Sequence, residues 1–524
     1  MNLPEVTKAK EQIDKQTQGS IYFTVQLTPS IRRVLTENWN LNCSSIDTVP
    51  MRWIKGDTHP HIDKGTHSFD TTYLAYLTDS PGNLMIDGKA YPIAKRNAYI
   101  FPEGLSHETI ETGSVPRLLL GPMSENGISV GVPPTTISAD GQIDTVYFKY
   151  TSGEGISYKI NEESYNPVYF PVTIQNSNLD TDYPLKVLFE TDITLITSND
   201  YFICDSGNIQ FGSTSLKNDG TRPVITIDSV TDYQGYPGLI QNGLAIGGIP
   251  RDYIYVYNIK VDTINGSTLA EGGGWIGQSY FGKGASSNYI VNCSSTGNIS
   301  VGGGGIVGSY AGSSVGSHLY LMGCSSSGAT GQDGGGIVGQ NGGTDGYVYC
   351  QYCWSTGDIG TGDIGTGDIG GSAGGIYGSG AGQAGTASAI TCYSEGTIGT
   401  SGGGIFGSFA GQAIGLADAS RCYSQGDIGT DGGGIFGANA ADAGGTTTAT
   451  NCYSSGSWTD ITRGIYGANE QSGATSTVCY PANGDWTDSS ANAALIGDPI
   501  PPAIIGNNWV YTDTNTPYEI NLFG

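Results

Sequence analysis

CYSEGTIGTSGGGIFG (residues 392–407) and CYSQGDIGTDGGGIFG (residues 422–437) are two copies of one unit, 30 residues apart. Related segments read GGGWIG at 272–277, GGGIVG at 303–308 and 334–339, GGIYG at 374–378 and RGIYG at 463–467. Ile306, Ile337, Ile376, Ile405, Ile435 and Ile465 are spaced 31, 39, 29, 30 and 30 residues apart. A cysteine precedes each of them: Cys293, Cys324, Cys353, Cys392, Cys422 and Cys452. The long interval has a visible origin, because TGDIG occurs three times in tandem over 356–370 and removing two copies turns 39 into 29. An insertion of whole pentapeptides is expected in a surface loop or a locally widened turn.

Apolar pieces such as YIVNC and GIVG are short, show no 3.6-residue period, and lie among Gly, Ser, Thr and Asp that disfavour helices. One repeat cannot bury its apolar face, whereas a stack of like coils builds a continuous core. The reading is an all-β chain whose main part is a parallel β-helix. Equivalent residues then lie about 4.8 Å apart, and Gly at the corners supplies positive φ. The Cys column is expected as stacked interior thiols, with disulfides between coils as the competing arrangement. Cys350 and Cys353 form a lone C-x-x-C, and His318 is the only His after His107, so a zinc site lacks ligands. Less regular strand-rich runs, LKVLFETDITLITSNDYFICDSGNIQFGS and RPVITIDSV, extend the solenoid back to about 151. The expected layout is a head over 1–127, a linker over 128–150, the solenoid over 151–480 with regular repeats from about 270, and a cap over 481–524.

The formal net charge of −26 opposes binding to nucleic acid and to anionic membranes. Twelve of the 22 Lys and Arg lie before residue 128, and after Lys283 only Arg421 and Arg463 remain, so no nucleic-acid partner is expected. The first twenty residues, MNLPEVTKAKEQIDKQTQGS, lack the apolar core of a secretory signal. No run approaches the roughly 20 apolar residues of a membrane span. The expectation is a protein made in the cytoplasm that reaches an exterior by assembly into a particle or by a dedicated route.

Four of the five His lie in the head: His59, His61 and His67 in THPHIDKGTH, and His107 in FPEGLSHETIE. The segment between them alternates apolar and polar residues and carries turn signals at Pro81-Gly82 and Asp87-Gly88, as an antiparallel jelly roll does. Pro102-Glu103-Gly104-Leu105-Ser106-His107 resembles the second cupin motif, P-x-G-x-x-H, and His59-Pro60-His61 resembles the H-x-H of the first. The Glu that usually follows H-x-H is missing, and no Asn follows His107 at the usual offset. The same stretch resembles the Fe(II)/2-oxoglutarate oxygenases, whose H-x-D, distal His and later basic residue match His61, Asp63, His107 and Arg117. Both resemblances imply a double-stranded β-helix jelly roll over about 45–125. They also imply a divalent metal (Fe, Mn or Zn) on His61, Asp63 and His107, with His59 as a further ligand, and a carboxylate co-substrate on Arg117.

A wider resemblance covers the whole chain. HID at 61–63, YLTDSPG at 76–82, GLSHET at 104–109, RPVITID at 222–228 and GGGWIGQSYFGKGAS at 272–286 resemble segments of proteins encoded by giant DNA viruses (nucleocytoplasmic large DNA viruses) of protists. The repeats are similar to the GLUG-type repeats of bacterial surface adhesins. The resemblance implies a structural or adhesive protein of a virion or extracellular surface, an outer-layer, spike or fibre component. Its partners would be further copies or other surface proteins. Two-residue alternation from an inward Cys puts Trp354, Tyr393, Tyr423 and Tyr453 outside, where an aromatic stripe could hold a glycan. Plain ladder stacking is the competing reading. Two enzymatic alternatives stand beside this: the metal-dependent head, and a polysaccharide-cleaving β-helix using carboxylates such as Asp358, Asp427 and Asp431, which lie in turns where solvated Asp is common.

Overall fold

The computed structural model describes residues 3–14, 19–44, 46–61, 63, 69–130, 135–151, 155–178, 180, 182–213, 222–230, 235–245, 250–360, 371–457, 464–477, 479–481, 504–505 and 508–509. These are mostly strands, with two α-helices and one short 3-10 turn among them. They form two compact units, one of residues 1–137, 167–173 and 197–202, the other holding the remainder.

The first unit opens with α1 (Pro4–Asp14), β1 (Gly19–Gln26) and α2 (Pro29–Trp39), then β2 (Thr48–Lys55), β3 (Thr58–His61), β4 (Thr71–Tyr76), β5 (Asn83–Ile86), β6 (Lys89–Pro92), β7 (Ala98–Pro102), β8 (His107–Ile110) and β9 (Arg117–Met123). The strands make two antiparallel sheets, ordered β1-β2-β9-β4-β7 and β3-β8-β5-β6. Ile54, Leu74, Tyr76, Phe101 and Leu119 of the first sheet pack with Leu84 and Ile86 of the second. The other face of the five-stranded sheet is covered by the helices, whose Val6, Ala9, Ile13 and Leu35 join Val49, Met51, Trp53 and Leu118. The helices were not anticipated. α1 buries residues spaced by three and four, and Trp53 Nε1 donates to Val6 O at 3.1 Å. α2 starts where the Thr28 hydroxyl accepts from Ile31 N ahead of Pro29, and it stops at Asn40 with φ +56°.

In the second unit, strands about one repeat apart pair in parallel. A thirteen-stranded sheet runs from Thr145–Thr151 through Leu185–Phe189, Ile209–Ser213, Ile254–Tyr257 and Asn288–Val291 to Ala474–Thr477; at its other end Gly155–Ile160 folds back antiparallel onto Thr145–Thr151, and Asn166–Pro167 lies beside Gly155–Ile160 as the edge strand. A ten-stranded parallel sheet starts with Ile193–Leu195, Val224–Asp228 and Lys260–Ile264 and then takes the two residues after each column Cys, as in Tyr393–Ser394, Tyr423–Ser424 and Tyr453–Ser454. A third ladder continues as single bridges, Gly274–Gly304–Gly335–Gly374–Gly403–Gly433 and Gly277–Val307–Val338–Tyr377–Phe406–Phe436–Tyr466. The stretch 128–150, expected as a linker, carries the strands Thr136–Ala139 and Thr145–Thr151. The second and third TGDIG copies and most of the expected cap lie outside the described residues.

Glycine supplies positive φ at several turns of the repeats, as expected, among them Gly302, Gly312, Gly343, Gly382 and Gly411, but it also has a second part. At the corner before each column Cys, φ is positive at Asn292, Tyr352, Thr391, Arg421 and Asn451, with Gly only at Gly323. The Gly triplets answer to space. A Cβ on Gly304 would lie 1.9 Å from Val307 O, one on Gly335 1.9 Å from Val338 O, and one on Gly305 2.0 Å from Gly336 O. The chain folds back on itself so closely that no side chain fits. Around this turn Ile306, Ile337, Ile376, Ile405 and Ile435 are fully buried, and the rings of Tyr377, Phe406 and Phe436 stack at 4.7 and 4.9 Å.

Candidate functional site

The strongest concentration of buried polar groups lies between the two sheets of the first unit. Strand pairing places His107, the first residue of β8, opposite His61 on β3. His107 is 3% exposed, and Phe101 packs edge-on against its ring at 5.0 Å. Nδ1 lies 3.1 Å from Leu105 O; a carbonyl only accepts, so Nδ1 carries a proton. Nε2 faces Asp63 Oδ2 at 3.4 Å, and Asp63 is itself 3% exposed. Two of the ligands suggested by the motifs are therefore brought together. The side chains of His59 and His61 lie outside the described residues, although their backbones belong to β3. Among the described residues no group of three or more His, Cys, Asp or Glu is placed to hold a metal.

Arg117 comes from the facing sheet and is fully buried. Its Nη2 donates to Thr109 Oγ1 at 2.7 Å, on β8, and its Nη1 donates to Gly56 O at 2.9 Å. Thr109 is in turn locked to Thr58, each backbone N–H donating to the other's hydroxyl oxygen, at 3.0 and 2.9 Å. Tyr76, also buried, sets its hydroxyl against the guanidinium. A carboxylate co-substrate on Arg117 would have to displace hydrogen bonds that tie the two sheets together. Asp57 clamps the end of β8, accepting from Glu111 N, Thr112 N and the Thr112 hydroxyl. Those bonds, the Thr112 hydroxyl first, hold its carboxyl below the usual carboxylate range. Sequence reasoning missed Arg52, Tyr76 and Thr109. The signal for Arg52 was available, as a charged residue inside the apolar run VPMRWI.

In the second unit, Trp354 stacks on Tyr393 with rings 2° from parallel, and Tyr423 stacks on Tyr453 at 7°. Tyr393 is only 5% exposed. Rings that lie face to face cover the faces on which a sugar would stack. The carboxylates weighed for polysaccharide cleavage mostly bind the next repeat: Asp358 Oδ1 accepts from Thr397 N and Asp427 Oδ1 from Ser457 N, both at 3.1 Å. Asp431 sits at a corner with φ +61°.

All ten cysteines are free thiols, and nine are buried. Column sulfurs reach two carbonyls each, Cys392 those of Cys350 and Ile390 at 3.5 Å, and Cys452 those of Ala419 at 3.4 Å and Thr450 at 3.5 Å. Cys suits the column because it is a small apolar group with a weak S–H donor for carbonyls at a tight corner. Compared with family models, curated proteins and solved structures, the chain finds no match.

Proposed function

We propose that this is a structural or adhesive surface protein, a jelly-roll head followed by a parallel β-helix scaffold, acting as an outer-layer, spike or fibre component of a virion or cell exterior. The observation that carries the reading is the unbroken parallel register of eleven strands of the thirteen-stranded sheet, from Thr145–Thr151 to Ala474–Thr477. At roughly 4.8 Å per strand step those strands span about 48 Å. Its interior is built from repeated columns of Ile, Cys, Ser and aromatic rings, so the sequence is spent on stacking, as in a scaffold that presents long repetitive faces. The two facing antiparallel sheets of the first unit support the jelly-roll reading.

Electron microscopy with gold-labelled antibodies against the intact chain, on the particle or cell that makes it, tests the role. Label on the outer surface is the expected result; label confined to the interior contradicts it. One observation favours a second reading, the meeting of Asp63 and His107 in the head, which would suit a metal-dependent enzyme. Elemental analysis of the purified chain tests it: stoichiometric Fe, Mn or Zn that is lost in His107→Ala supports the enzyme, and a metal-free wild type removes it.

A further inference from the structure

Two guanidinium groups are buried on one face of the five-stranded sheet, and only one of them is supplied with acceptors. Arg52 on β2 pairs with Leu119, and Arg117 on β9 pairs with Ile54. The two arginines are therefore diagonal neighbours on the same face, about 7–8 Å apart. Arg52 is 6% exposed and Arg117 0%. Arg117 spends its terminal nitrogens on Gly56 O and Thr109 Oγ1. The Arg52 side chain makes no hydrogen bond or ion pair among the described residues: its Nε is buried without an acceptor, its terminal nitrogens keep some access to solvent, its guanidinium carbon lies 5.9 Å from the Tyr22 ring centroid, and its charge acts on the Tyr76 hydroxyl. A guanidinium so nearly enclosed, with no protein anion on its fork, is a ready partner for an anion from solution. Burial, with the charge of Arg52 adding to it, holds Arg117 below the ordinary arginine value, so each guanidinium feels the other. Asp57, the carboxylate beside Arg117, is already engaged by Glu111 and Thr112.

We propose that Arg52 anchors an anion site between the two sheets of the first unit, taking a small dianionic oxyanion of the phosphate or dicarboxylate class. The planar fork of Arg52 supplies the bidentate donors and Arg117 the second positive charge. The site is distinct from Arg117 as a co-substrate ligand and does not rest on the surface role proposed above. The chain favours specific over diffuse anion binding, because its net charge is −26, while residues 1–127 come close to balance with 12 Lys and Arg against 14 Asp and Glu.

Calorimetric titration of the full chain with sodium phosphate, sulfate and succinate, against sodium chloride at matched ionic strength, reads the site. Saturable binding of at least one dianion is expected, weakened about tenfold or more in Arg52→Met. Binding of phosphate and sulfate without succinate assigns a tetrahedral oxyanion, and the reverse assigns a carboxylate. In anion-free buffer Arg52→Met is expected to melt no lower than wild type, since an apolar chain of similar volume replaces an unpaired buried charge. Should that variant fail to fold, Arg52→Lys, which keeps the charge and loses the fork, is expected to show the same weakening. No saturable binding of any of the three to wild type overturns the proposal, as does an affinity that the Arg52 variant leaves unchanged.

Discussion

Gly335 and Gly316 separate the two reasons a chain has for glycine. A Cβ on Gly335 would stand 1.9 Å from Val338 O and 2.5 Å from Gly378 N, both backbone atoms, so no rotamer relieves it. Reaching the 3.4 Å of ordinary contact opens the turn by about 1.5 Å. That is enough to break Gly335 N–H to Gly303 O and Gly374 N–H to Gly334 O, now 2.9 and 3.0 Å. Two ladder hydrogen bonds at about 1 kcal/mol each and overpacking of about 1–3 kcal/mol put Gly335→Ala at about 3–5 kcal/mol. Gly316 has φ +84° with nothing within 4 Å of its Cβ, so Gly316→Ala carries only the left-handed backbone cost of about 1–2 kcal/mol. Equilibrium urea unfolding, followed by Tyr and Trp fluorescence, compares the two. If Gly335→Ala costs no more than Gly316→Ala, close approach is not what the triplets are for.

Trp275→Ala removes a fully buried ring stacked 6.2 Å from Tyr236 and leaves Gly297 O without its indole donor, a loss of about 3–5 kcal/mol in the same experiment. A loss under about 1 kcal/mol would show the site collapsing onto the gap. Burial pushes the Cys293 thiol up to about 12, while at Cys353 and Cys422 burial is outweighed by hydrogen bonds from neighbouring column thiols, which lower them; because nine of the ten thiols are buried, the native chain should react slowly with thiol reagents at pH 8 and show all ten in urea. Rapid native labelling of several thiols would contradict the packed column. The carboxyl of Asp57, depressed by Thr112, contributes stability above the ordinary carboxylate value and loses it as pH falls through the folded-state value. Wild type should therefore lose head stability faster than Asp57→Asn below about pH 4, and parallel acid-unfolding curves would deny the clamp.

The repeat was legible because Ile and Cys recur at a fixed interval and each occupies one buried column. Register was less so. Read as strings, GGGWIG and GGGIVG align one residue out of step; the ladder pairs Gly274 with Gly304 and Gly277 with Val307, so Trp275 stands opposite Gly305. The role of the triplet Gly was hidden for a physical reason. Positive φ and lack of space both select Gly, and only the fold shows which Gly serve each, and that Asn, Thr, Tyr and Arg hold the corner before the column Cys while Gly holds others such as Gly312 and Gly382. The parallel pairing of 145–151 escaped notice because that strand lies before the repeats become alike. In the head, short motifs pointed to His107 and Asp63, which do meet. What Arg117 does was not legible, since its partners, Gly56 and Thr109, carry no mark in the sequence and become neighbours only when two sheets face each other.

Repeats distant in sequence stack on one another, strand over strand. Val315 and Ile414 are 89% and 84% exposed, at the same corner of two repeats three strand steps apart. Nitroxides on Val315→Cys and Ile414→Cys should report a backbone separation of about 14 Å, read as dipolar broadening of the electron paramagnetic resonance spectrum. An unbroadened spectrum, placing these residues beyond about 20 Å, would contradict the stack.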